Sequence, residues 1–75
     1  MSNVNNELTT REKQVLTELA NGLTSKKAGE KLGISHKTVE AHKENIYKKT
    51  RLRNIAQLTK LAINLGLTTT DIVLA

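Results

Sequence analysis

The stretch TSKKAGEKLGISHKTVEAHKENIYKKTRLR, residues 24–53, decides the fold. Gly33 punctuates it, because a glycine just past an apolar-periodic segment is the usual left-handed stop of a helix, and Ser35 is a good N-cap for the next. The pattern predicts a short helix over 25–32, capped by Thr24 or Ser25, then the turn Gly33-Ile34-Ser35 with Ile34 as its apolar plug, then a longer helix over 36–50. Eight residues do not hold a helix alone in water, so the short one must dock on its neighbours. Ala28 and Gly29 supply the small surface that two closely crossing helices need. The apolar contacts fall on Ala28, Leu32, Ile34 and Val39, and the longer helix carries Val39, His42, Ile46 and Lys49 or Thr50 along its inner side. This is the pattern of a DNA-binding helix-turn-helix; an ordinary αα-hairpin in a small bundle has the same packing needs.

Working outward, Thr9 stands three residues before Glu12, the spacing of a capping box. It starts a helix over 10–21 with Val15, Leu16, Leu19 and Ala20 as one stripe and Gly22 as its stop. Downstream, Asn54 stands three residues before Gln57 and starts a helix over 55–65, with Leu58, Leu61, Ala62 and Leu65 inward and Gly66 as its stop. The expectation is an all-α, compact four-helix domain over residues 8–67. Residues 1–7 read as a disordered start or linker end, and 68–75 as a tail whose structure the pattern leaves open.

Composition agrees. A chain of 75 residues is one small domain, and 37% hydrophobic residues with one aromatic (Tyr47) and no proline suit helix packing rather than a β-sandwich. The absence of cysteine excludes disulfides and cysteine-ligated zinc. No apolar run approaches the ~18 residues of a membrane span, so a cytoplasmic protein is expected, nucleoid-associated where the hairpin binds DNA. The net charge of +5 is not evenly spread. Between Thr24 and Arg53 nine bases (Lys26, Lys27, Lys31, Lys37, Lys43, Lys48, Lys49, Arg51, Arg53) face three acids (Glu30, Glu40, Glu44). Such clustering over the hairpin points to a polyanion, because each neutralised phosphate releases condensed counterions.

Catalysis finds little support. Glu40 and Glu44 share a helix face, but nothing suggests an apolar pocket to shift their acidity, and lysines three or four residues away relieve them. His36 and His42 point about 120° apart on a helix, which is no metal pair. Neither an enzyme, a metal nor a cofactor is expected.

The runs LTTREKQVL (8–16), LANGLT (19–24), LGISHKTVEAH (32–42), then Ile46 and Lys49, and LAINLGL (61–67) together resemble the LuxR-type helix-turn-helix, the DNA-binding domain of LuxR, NarL and FixJ regulators. The resemblance covers residues 8–67 without a gap and is closer than that to a sigma-factor promoter-reading region. It implies a bacterial transcription regulator whose third helix enters the major groove of double-stranded DNA and whose fourth often makes a homodimer. Members are usually the C-terminal part of a longer regulator. The chain is thus expected to be either stand-alone or excised from one, with RNA polymerase or a missing regulatory domain as further partners. The chain departs from the family where an acid and a bulky aliphatic are usual (Lys27, Ala28) and where Leu-Gly is usual (Thr50, Arg51).

The groove-contacting positions implied by the resemblance are those of Glu40, Ala41 and Glu44, and helical spacing puts Lys37 and Lys48 on the same face, opposite Val39, His42 and Ile46. The expected base-reading set is Lys37, Glu40, Ala41 and Glu44. A carboxylate in the major groove pairs with the amine of cytosine or, second, adenine; alternatively Glu40 folds onto Lys43 or Lys37 and orients a phosphate-binding lysine. Phosphate contacts are expected from Lys26, Ser35, His36, Lys48, Lys49 and Arg51, and a dimer face from Lys60, Ile63, Asn64 and Leu67. The rival function is an interaction module that heterodimerises with a full-length regulator and blocks its DNA binding.

Overall fold

The computed structural model describes residues 7–68. Within them the chain forms four helices and no strand: α1 (Thr10–Ala20), α2 (Ser25–Leu32), α3 (His36–Thr50) and α4 (Ile55–Asn64). The all-α expectation holds, with α1 and α4 each one residue shorter because Asn21 and Leu65 serve as C-caps. The expected start over 1–7 and tail over 68–75 lie outside the described residues, Glu7 and Thr68 excepted.

Each helix begins where a side-chain oxygen meets an orphan amide. At α1 the full capping box forms: the Glu12 amide donates to Thr9 Oγ1 at 3.0 Å and the Thr9 amide donates to Glu12 Oε1 at 2.9 Å. Thr24, not Ser25, caps α2 by accepting from the Lys27 amide at 3.2 Å. Ser35 caps α3 and Asn54 caps α4, from the Thr38 and Gln57 amides. Gln57 does not complete a box at α4; its Oε1 accepts from the Arg53 amide at 2.7 Å instead.

At the end of α2 Gly33 takes φ 73°, and the Ile34 amide turns back to donate to the Gly29 carbonyl at 2.9 Å. The same six-residue closure ends α1 (Leu23 to Glu18) and α4 (Leu67 to Ala62). The end of α3 differs. There Arg51 adopts φ 60°, the one non-glycine residue with positive φ among those described. A Cβ in that conformation costs roughly 1–2 kcal/mol. Arg51→Gly is therefore expected to stabilise the fold by about 1 kcal/mol, raising the melting temperature by about 5 °C in circular-dichroism melts.

α1 is the hub: it packs on all three other helices, α2 and α3 pack on each other, and α4 packs chiefly on α1. Val15, Leu16, Ala28, Val39, Ile46, Leu58 and Ala62 are completely buried, so every helix contributes to one core. Leu32, Ile34, Tyr47, Leu61, Leu65 and Leu67 close over it. The α2–α3 approach is tight enough that a Cβ on Gly29 would lie 2.7 Å from the Ile34 carbonyl oxygen.

Candidate nucleic-acid interface

The fold turns one side of α3 to the core through Val39 and Ile46, with His42 half-buried beside them. Opposite, Lys37, Glu40, Ala41, Glu44 and Lys48 are all exposed, as their spacing requires. Ser35 and His36 are exposed at the α3 N-terminus, where unpaired amides and the helix dipole favour an anion. Lys26, on the first turn of α2, is exposed as well.

The positive charge of residues 24–53 divides into three populations. Lys31 reaches Glu18 at 3.0 Å and Lys49 reaches Glu12 at 2.7 Å, so two acids buried on α1 are each met by a lysine from the hairpin. Lys49 also donates to the Glu7 carbonyl at 3.0 Å. Burial alone would raise the Glu12 carboxyl, but the Lys49 hydrogen bond, the bonds to Thr9 and the Lys49 charge together hold it below the ordinary carboxylate range. Lys27, Lys43 and Lys48 lie 3.7–3.9 Å from Glu30, Glu40 and Glu44, loose pairs that solvent screens. Lys26, Lys37, Arg51 and Arg53 have no acidic partner among the described residues. Arg53, which the sequence reading counted only as charge, thus stands with the exposed cations.

Glu40 is more elaborately held than its sequence neighbours suggest. Its Oε2 accepts from Ser25 Oγ of α2 and lies 3.8 Å from both His36 Nε2 and Lys43 Nζ. A depression of about 240 Å³ runs beside it, lined by Glu40, Lys43, Glu44 and Tyr47. Burial, with the Glu40 charge added, pushes the Tyr47 phenol above its ordinary value, so it faces that depression as a neutral group.

On α4, Lys60 and Asn64 are exposed and Ile63 is half-buried, whereas Leu67 lies against the core. Among the described residues the large apolar side chain standing furthest into solvent is Ile55, 46% exposed on the first turn of α4 and absent from the sequence-derived set. It was masked there by its place ahead of the apolar stripe.

A short helix, a glycine turn, and a second helix with a solvent-facing polar row between exposed cations define a helix-turn-helix DNA-binding domain. Residues 6–62 match the family described as bacterial regulatory proteins, luxR family. The chain belongs to that family of transcription regulators. It is 41% identical over 64 residues to the response regulatory protein YgeK of Escherichia coli, a match covering 85% of this chain and 44% of YgeK. It is 46% identical over 55 residues to the Fimbriae Z protein of Salmonella typhimurium (73% and 26%). To the transcriptional regulatory protein FixJ of Azorhizobium caulinodans it is 38% identical over 64 residues (85% and 30%). The chain thus matches less than half the length of each of these relatives. No solved structure gives a significant match.

Proposed function

We propose that the domain reads duplex DNA with α3 in the major groove, Lys37, Glu40, Ala41 and Glu44 toward base edges. Lys26, Lys48, Arg51 and Arg53, with the amides near Ser35 and His36, hold phosphates. The observation that carries the reading is the exposed polar row of α3 set between cations free of acidic partners at both its ends. Lys49 takes a supporting part, since its ammonium is engaged by Glu12 and contributes charge rather than a free donor. Two copies pair through α4, with Ile63, Lys60 and Asn64 joined by Ile55 and Leu67 at the margin, which doubles the phosphate contacts on paired half-sites. A regulatory domain elsewhere in the regulator, or RNA polymerase, is the further partner, and the site of action is the nucleoid.

Fluorescence anisotropy of the 75-residue chain on duplex DNA across a salt series tests this. Affinity is expected to fall steeply with salt, and Lys26→Ala to reduce the slope of log K against log salt by about one unit. In the same assay Ile63→Asp is expected to weaken binding while leaving the folded monomer intact. A salt-insensitive association with a full-length regulator, and no DNA binding, would establish the interaction module instead.

A further inference from the structure

Two neighbouring hydroxyls open α2 and divide the work. Thr24 Oγ1 stays within its own helix and accepts from the Lys27 amide, which leaves Ser25 Oγ free to donate across the hairpin to Glu40. Ser25 is half-buried, the first residue of α2, so the carboxylate it meets also lies at the positive end of that helix. The contacts of Glu40 with Ser25, His36 and Lys43 all fall on Oε2, and among the described residues Oε1 has no protein donor.

An unattached glutamate on an exposed helix face samples several rotamers, and ordering it on binding offsets part of any hydrogen bond it then makes. Here one oxygen is tethered and the other remains free to accept. We propose that Ser25 is a positioning residue for sequence selectivity: it fixes the Glu40 carboxylate across the α2–α3 hairpin so that Oε1 is presented, already ordered, to the exocyclic amine of a base, cytosine first. This rests on the reading of Glu40 as base-facing. The tether acts on the direction of one oxygen and adds no charge at the DNA surface, so it separates selectivity from affinity.

Site selection from a random duplex pool, followed by anisotropy on the selected duplex and on one with the Glu40-dependent base pair exchanged, tests it with Ser25→Ala, Ser25→Thr, Glu40→Ala and the Ser25→Ala/Glu40→Ala double variant. Ser25→Ala is expected to cut discrimination at that single pair by about fivefold, the ordering cost of one flexible side chain, while affinity for random duplex and the melting temperature stay unchanged. Ser25→Thr, which keeps the hydroxyl, restores discrimination, and the double variant reads like Glu40→Ala alone. If Glu40→Ala leaves every preference intact, the base-facing reading falls and the positioning role with it. If Glu40→Ala relaxes one pair but Ser25→Ala does not, the positioning role alone is overturned. Uniform weakening by Ser25→Ala on all sequences would make Ser25 a phosphate contact and overturn it equally.

Discussion

Gly29→Val is expected to lower the stability of the domain by about 3 kcal/mol, an amount comparable with all that a chain this small holds. The cause lies at the turn. A Cβ at Gly29 meets the Ile34 carbonyl oxygen at 2.7 Å and the Ser35 backbone at 3.4 Å, and neither is the loose end of a side chain that could swing aside. The two further methyls of valine enlarge the clash. Relief requires α2 and α3 to move apart, which would also break the Ile34-to-Gly29 closure and displace Ser25 from Glu40. The control is Glu30→Val on the exposed side of α2, which adds the same side chain without the contact; helix propensity cannot produce the loss at Gly29, since glycine is the poorer helix former of the two. Denaturant titration of the two variants decides it: equal midpoints would mean the close approach carries no energetic weight.

Lys49→Met is expected to cost about 2 kcal/mol at neutral pH, below the usual toll for stripping one partner from a buried pair because the lysine itself is a third exposed. Methionine keeps most of the stem's packing, so the loss reports on the charge that Glu12 is left without. Acid gives the signature. A carboxyl whose folded value is depressed contributes stability that is full above its unfolded value, near 4.5, and is lost as pH falls through the folded value. Once Glu12 is protonated the ion pair has gone from the parent protein too. The difference between parent and Lys49→Met should therefore be full at pH 7 and shrink toward zero as pH falls through that range. Urea midpoints measured from pH 7 to pH 3 check this, and a difference that stays constant would show that Lys49 acts through its bond to the Glu7 carbonyl and its packing, not through the Glu12 charge.

The local signals were legible in the sequence and the tertiary ones were not. Thr9, Ser35 and Asn54 could be read as caps because a cap needs only a side chain and an amide a few residues away. The outer face of α3 could be read because helical periodicity fixes which side chains share a side. The meeting of Glu12 with Lys49 spans 37 residues and exists only because α1 crosses α3; the sequence makes Glu12 a cap and sets Lys49 or Thr50 at the end of the inner row of α3, with nothing local to join the two. The same holds for Ser25 and Glu40, 15 residues apart, where helical spacing offers the lysines one turn away as partners. Arg51 escaped for a different reason. Its residue type argues against the left-handed conformation, and only the family's usual glycine at that place hinted at what the backbone does there.

The size of the core has a thermal consequence. A chain of 75 residues exposes little apolar surface on unfolding, so its heat-capacity change is about 1 kcal/mol/K and its stability curve is shallow. The free domain then loses its fold gradually over a wide span of temperature, and the margin at any point is thin. Mass action enlarges that margin: a duplex present at a hundred times its dissociation constant adds about 2.7 kcal/mol to the folded state alone. For a core of ten buried apolar residues among those described, this is a large supplement. The domain on duplex DNA should outlast heating that melts the same domain in free solution, and the bound state becomes the one in which the molecule is thermally safest.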